Sequence, residues 1–153
     1  DFTAIAEQMT HMDVIIFSTP VYWYAMSSQL KTFFDRLSDL VRVRKDLGRA
    51  LKGKTVYLVS SGSDTKFPEG YEVPFASTCG YLDMQYRGSF YYPAPRDEIM
   101  PKEVKEKAEA FGKRHWIGNT DLLGRTCIDT SLCGEVVSQH SSEHFLSFVR
   151  FQI

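Results

Sequence analysis

Residues Asp13 to Leu40 read DVIIFSTPVYWYAMSSQLKTFFDRLSDL. A short apolar run, Val14 to Phe17, stops at a Pro-containing turn that passes straight into a long amphipathic helix. The turn, Thr19-Pro20-Val21-Tyr22-Trp23-Tyr24, sets three aromatic residues in a row where a strand ends and a helix begins. No charged residue occurs between Val14 and Met26, and such near-continuous hydrophobicity is what a strand buried on both faces needs. In an open α/β sheet, ligands bind in the crevice beyond the carboxyl ends of the strands. Aromatic rings at that place suit a flat, conjugated ligand, because ring stacks on ring and water is kept from one face.

Working outward, Ser27 or Ser28 caps the helix, and Leu30, Phe33, Phe34, Leu37, Leu40 and Val41 form one apolar stripe at three- and four-residue steps. Upstream, Phe2, Ile5, Ala6 and Met9 have helical spacing over residues 2–11. Downstream, the basic stretch Arg42 to Lys54 reads as a solvated connection closed by Gly53. A second buried strand, Thr55 to Ser60, ends in the polar turn Ser61-Gly62-Ser63-Asp64. A helix around Tyr71 to Leu82 is interrupted by Pro74 and Gly80, and Gln85 to Tyr92 reads as a third strand stopped by Pro93 and Pro95. The clearest helix is Pro101 to Arg114. Pro101 sits at its first turn, and Lys102–Glu106, Glu103–Lys107 and Glu109–Lys113 are spaced to pair along one face. Strands alternating with helices give an α/β protein, a parallel sheet with helices on both faces.

The strand, the Pro20-Val21-Tyr22-Trp23 turn and the helix pattern Ser27-x-Gln29-Leu30-Lys31-x-Phe33-x-Asp35-Arg36 resemble the flavodoxin-like, NAD(P)H-dependent FMN reductase family without a gap from Asp13 to Arg36. The resemblance implies a doubly wound parallel sheet with strand order 2-1-3-4-5, of which the three strands here are the third, fourth and fifth. The first two strands and the phosphate-binding loop would then precede Asp1, so the chain is expected to be a partial fold, the remainder of something longer. The strand at 13–18 would become an exposed apolar edge that invites pairing with another chain. Self-association is expected unless residues 144–153 cover that edge, and a clean monomer in sedimentation would overturn the idea.

By the same resemblance, FMN is the cofactor and NAD(P)H the electron donor. Pro20, Val21, Tyr22, Trp23 and Tyr24 would wall the isoalloxazine ring and offer backbone N–H groups toward it. Ser61, Gly62 and Ser63 would form a second ring-side loop, Gly62 permitting close backbone approach. Ser27 lies near a helix start, which favours negative charge nearby. Taken alone, an aromatic turn can be simply the edge of a core, and Ser-Gly-Ser an ordinary turn. At the ends of adjacent strands the two loops strengthen each other, with Tyr91 or Tyr92 bordering the same pocket. The implied reaction passes hydride from NAD(P)H through flavin to a small acceptor: a quinone, an azo dye, a nitro compound or free flavin. The cofactor carries that chemistry, so no catalytic residue is assigned. A flavodoxin-like electron carrier or non-catalytic remnant is the alternative. Trp23-Tyr24 and the Ser-x-Gln-Leu-Lys helix resemble reductases more than carriers, and Ser18 to Lys31 holds no acidic residue to dock a basic partner. The resemblance also implies a homodimer.

The bulk numbers fit. At 153 residues, 43% hydrophobic and 24% charged, the chain can build one domain with a proper core. A net charge of −1 gives no reason to expect nucleic acid or an anionic membrane as partner. No apolar stretch approaches the ~18 residues that cross a bilayer. Three irregularly spaced cysteines make no disulfide framework, so a reducing, cytoplasmic setting is expected. There is no Gly-rich dinucleotide fingerprint and no Walker loop.

Residues 116–153 differ from the rest. They contain no Lys, Pro or Tyr, whereas the first 115 residues hold 9, 6 and 8 of them. With that shift, 116–153 is expected to be a tail outside the family fold, while 1–115 are the C-terminal part of a flavodoxin-like FMN-binding domain; the only strand-like run of the tail is His144 to Ile153. Cys127, Cys133, His140 and His144 carry the right atoms for zinc, but the gaps do not suit it: five residues separate the cysteines and six separate Cys133 from His140. No metal site is assigned. Cys79 reads as a small buried thiol, His11 and His115 as helix-closing caps, and Lys31–Asp35 as an exposed helical pair.

Overall fold

A computed structural model describes residues 2–94, 102–112 and 114. Its elements are α1 (Phe2–Thr10), β1 (Val14–Pro20), α2 (Ser28–Arg36), α3 (Ser38–Arg42), α4 (Lys45–Ala50), β2 (Thr55–Gly62), α5 (Val73–Tyr81), β3 (Gln85–Pro93) and α6 (Lys102–Gly112). The three strands form one parallel sheet in the order β1-β2-β3. Residue Val14 pairs with Thr55 and Pro20 with Ser61, so β1 and β2 end level with each other. Between β2 and β3 the register slips after Val56, at a bulge where Gly88 takes φ +125°. The α/β class and a parallel sheet with helices on both faces are as expected. Among the described residues β1 pairs only with β2, which leaves its other edge without a strand neighbour.

One face of the sheet carries Ile15, Phe17, Val56 and Leu58 into a core shared with α1 to α5. The apolar stripe behaves as expected: Leu30, Phe33, Leu37 and Leu40 are all buried. Phe17 sits at the middle of an aromatic cluster, with ring centroids 5.0 Å from Phe34 and 6.3 Å from both Phe33 and Phe75. The opposite face holds Val14, Ile16 and Tyr57, and Phe111 of α6 meets Tyr57 edge-on at 5.7 Å. Of the pairs expected along α6, Lys102–Glu106 is formed at 3.8 Å.

Two expectations need correction. The helix after the aromatic turn is not continuous to Val41. It breaks at Leu37, whose N–H donates to Phe34 O at 3.1 Å, three residues back, tightening the turn between α2 and α3. Nor is Arg42 to Lys54 a plain solvated connection. It contains α4, because Leu47 and Leu51 stand four apart and both are buried. Around them the charges stay in water: the exposed Arg44 guanidinium reaches Glu7 at 3.4 Å and Asp46 at 2.9 Å, and its hydrogen bond holds the Asp46 carboxyl below the usual range. Lys54 closes the layer differently. Its Nζ donates to Thr10 O at 2.8 Å and Met12 O at 2.6 Å, satisfying carbonyls at the end of α1.

Gly48 explains how α4 can lie so close to α3. A Cβ there would run into the Leu40 backbone carbonyl, which cannot swing aside. Gly48→Ala should therefore cost about 2 kcal/mol through overpacking, despite alanine's better helix propensity. A urea midpoint unchanged or raised in this variant would contradict the packing.

The interrupted helix over 71–82 forms as α5. Pro74 falls in its first turn, where a missing N–H costs little, and Phe75 and Cys79 turn into the core. Cys79 is 1% exposed, and burial pushes its thiol up to about 12. Burial likewise raises Tyr57, Tyr71, Tyr86 and Tyr91. For an acid whose pKa is higher in the folded state, the unfolded chain releases its proton first, so stability falls as pH rises. Stability should accordingly be flat from neutrality to about pH 8 and decline above it. Below that limb, peptide mapping should find Cys79 resistant to iodoacetamide until the chain is unfolded.

Among the described residues no group of three metal-ligating side chains occurs, and no helix is long and apolar enough to cross a membrane. The strand-like run 144–153, the tail 116–153, Pro101, His115 and the set Cys127, Cys133, His140 and His144 lie outside the described residues.

Candidate functional site

The carboxyl ends of β1 and β2 bring the two sequence-predicted loops side by side. The ladder continues one step past the strand, Val21 N–H donating to Ser61 O at 2.7 Å. Val21 itself packs against the core. Tyr22 and Ala25 then exchange both backbone hydrogen bonds, at 2.9 and 3.0 Å, closing a two-residue hairpin over Trp23 and Tyr24. Both central residues have positive φ, +50° for Trp23 and +61° for Tyr24. Hairpins of this kind ordinarily place Gly or Asn there, because a Cβ in the left-handed region meets its own carbonyl. Two consecutive aromatics in that conformation are backbone strain, the sort that structures retain at functional sites.

The side chains answer the core-edge reading. Tyr22 is 56% exposed, Tyr24 70% and Trp23 94%. Rings that gain so little from burial are not placed by the core. The backbone is equally specific about donors. Pro20 has none, Val21 and Tyr22 use theirs within the fold, and among the described residues the N–H groups of Trp23 and Tyr24 remain without partners.

Three residues hold this turn in place: Ser27, expected from sequence as a helix cap, and Thr19 and Tyr71, whose roles sequence reasoning passed over. Thr19, buried at the end of β1, accepts the Ser27 N–H at 3.0 Å, tying the strand to the helix start. Ser27 is the N-cap and accepts from Leu30 N–H at 3.3 Å, so its hydroxyl serves the helix. Tyr71 donates its hydroxyl to Pro20 O at 3.3 Å from beneath the hairpin. Burial raises its pKa, with Ser60 and Thr19 acting the other way, so it stays a neutral donor at ordinary pH. Ser60 Oγ is near enough to influence Tyr71 yet meets no partner at hydrogen-bonding geometry among the described residues. A Thr before Pro at a strand end was the one available sequence signal. Nothing local marked Tyr71.

On the second loop, Ser61 is buried in β2, Gly62 ends the strand and Ser63 is exposed beyond it. Gly62 is a close approach: a Cβ there would lie 2.8 Å from the Tyr91 hydroxyl and 3.2 Å from Val21 Cβ. Tyr91 donates to Asp64 O at 2.8 Å, and burial together with the Asp64 charge raises its pKa. Of the two border candidates, Tyr91 therefore contacts the loop, whereas Tyr92 is buried. Lys31 and Asp35 form the expected exposed ion pair along α2, away from these contacts.

The family model for NADPH-dependent FMN reductase matches residues 1–96. The chain belongs to that family. Among its relatives, an FMN-dependent NADH:quinone oxidoreductase of Burkholderia thailandensis is 33% identical over 88 residues, 53% of this chain and 44% of that protein. FMN-dependent NADH:quinone oxidoreductase 2 of Idiomarina loihiensis is 35% identical over 143 residues, 78% of this chain and 58% of the relative. The crystal structure of an NADPH-quinone reductase from P. pentosaceus has the same fold, with TM-score 0.61 and 20% identity over 74% of this chain and 73% of that one. The chain thus spans about half the length of the curated relatives it matches. The family's strand, turn and helix all fall inside the matched segment, so the aromatic hairpin belongs to the family portion of the chain.

Proposed function

We propose that the two loops form the isoalloxazine side of an FMN site in an NAD(P)H-dependent oxidoreductase. The observation that carries this reading is the strained, outward-facing Trp23-Tyr24 hairpin at the carboxyl end of β1, beside the Gly62 close approach at the end of β2. The donor set fits the group: exposed rings for its flat faces, and the Trp23 and Tyr24 N–H groups for the acceptors on its edge. Bound FMN would supply the two-electron chemistry linking NAD(P)H to a small acceptor such as a quinone, azo dye, nitro compound or free flavin. The chain's own residues bind and orient. Tyr22, Trp23 and Tyr24 exclude water from one ring face, Pro20 and Val21 anchor their hairpin, and Ser61, Gly62 and Ser63 bring a second backbone segment to the ring. In this reading residues 1–115 belong to the family domain, and the working protein is a cytoplasmic homodimer that takes small-molecule acceptors rather than nucleic acid or membrane.

The experiment is an FMN fluorescence titration of the purified chain, followed by NADPH under argon. Quenching in the low-micromolar range, with bleaching of the flavin band faster than the free-FMN control, is the expected result. A folded chain that leaves FMN fluorescence untouched would overturn the assignment, and quenching without NADPH bleaching would favour an electron carrier.

A further inference from the structure

The two ring-side loops are joined by more than the Val21–Ser61 hydrogen bond. A line of aromatic side chains runs from one to the other. The Tyr91 hydroxyl holds Asp64 O at 2.8 Å, on the second loop. The Tyr91 ring stacks on Phe67, with centroids 5.0 Å apart and planes at 26°. Phe67 meets Tyr71 edge-on at 5.4 Å, and the Tyr71 hydroxyl holds Pro20 O at 3.3 Å, at the root of the first loop. Gly62 lies against this line and against the first loop, since a Cβ there would meet both the Tyr91 hydroxyl and Val21 Cβ.

We propose that Tyr91 is a positioning residue that latches the second loop, through Asp64 O and the Phe67 ring, at the spacing from the Trp23-Tyr24 hairpin that a flat ligand requires. The proposal rests on the flavin reading for the identity of that ligand, but the latch itself is a property of the fold. Residues 63–66 are exposed and lie beyond the end of β2, so nothing in the sheet sets their height above it. Tyr91, fixed in β3 opposite Ser60, reaches up to do so. Glycine at 62 follows from the latch: the hydroxyl occupies the volume that a Cβ would need.

Lys66 offers a readout that needs no flavin, because it is exposed and directly precedes Phe67. Tryptic cleavage after Lys66 should be about five-fold faster in Tyr91→Phe, which loses the hydrogen bond but can keep the stacked ring. The melting temperature should barely change, since the sheet is untouched, while FMN binding should weaken several-fold. The decisive comparison is with Gly62→Ala. Alone it should weaken FMN binding more than Tyr91→Phe does. Combined with Tyr91→Phe it should recover part of the loss, because the next Tyr91 atom stands at an ordinary 3.5 Å. A merely structural Tyr91 would lower the melting temperature in Tyr91→Phe and leave cleavage after Lys66 unchanged. Unchanged cleavage in Tyr91→Phe, or a double variant that binds FMN no better than Gly62→Ala, would overturn the latch. Faster cleavage in Tyr91→Phe from a chain whose unsubstituted form binds no FMN would uphold the latch and sink the flavin reading instead.

Discussion

Replacing Trp23 and Tyr24 together by glycine is expected to make the chain more stable and a poorer FMN binder. Each residue now sits in the left-handed region at a cost of about 1–2 kcal/mol, which glycine does not incur. Glycine's greater freedom in the unfolded chain returns about 0.5–1 kcal/mol of that per residue. The exposed rings forfeit little burial when removed, so the net gain should be about 1 kcal/mol in urea denaturation. Binding should move the opposite way. Two lost stacking surfaces, at about 1 kcal/mol each, weaken FMN at least about ten-fold. Opposite signs in the two measurements would identify the hairpin as strain retained for a ligand. A variant that loses stability would mean that the aromatic turn is structural, and one that binds FMN normally would remove the rings from the site.

Phe17→Ala should be the most damaging substitution to the fold. The side chain is 1% exposed at the centre of the cluster formed with Phe33, Phe34 and Phe75. Those neighbours belong to α2 and α5, which pack against the sheet and so hold the cavity open once the ring is gone. A loss of about 3–5 kcal/mol is expected, a large part of the stability of a typical domain. The exposed Val43 provides the control, where Ser should change stability by less than about 0.5 kcal/mol. Phe17 stands two residues before Thr19, whose hydroxyl links β1 to the start of α2. The same variant should therefore loosen the aromatic turn and weaken FMN before it unfolds the chain. Equal urea midpoints for Phe17→Ala and Val43→Ser would refute this account of the core.

The features that followed from sequence are those governed by local periodicity. Strands β1 and β2 are apolar runs ended by turn residues, the mixed strand β3 is stopped at Pro93, and α1 and α2 show their buried faces in their spacing. What misled the reading was charge. In Arg42 to Lys54 the basic side chains outnumber Leu47 and Leu51, yet two leucines four apart are enough to seat a short helix. The break at Leu37 was invisible for a different reason. The apolar stripe runs straight through it, and only the hydrogen-bond shift to Phe34 O marks the turn.

The candidate site divides in the same way. Sequence alone placed the ends of β1 and β2 to within about two residues, because Pro20 and Ser61-Gly62-Ser63 mark them, and it linked the aromatic turn to a family of flavin reductases; the folded sheet carries both strands on to Pro20 and Gly62. Tertiary structure decided what those residues do. Whether Trp23 and Tyr24 face water or core depends on the hairpin that Tyr22 and Ala25 close. That Gly62 must stay small depends on Tyr91, which lies about thirty residues away in sequence but one strand away in the sheet. Local pattern specifies elements because it acts over a few residues. The shape of a site depends on contacts between strands, and only the register of the folded sheet creates them.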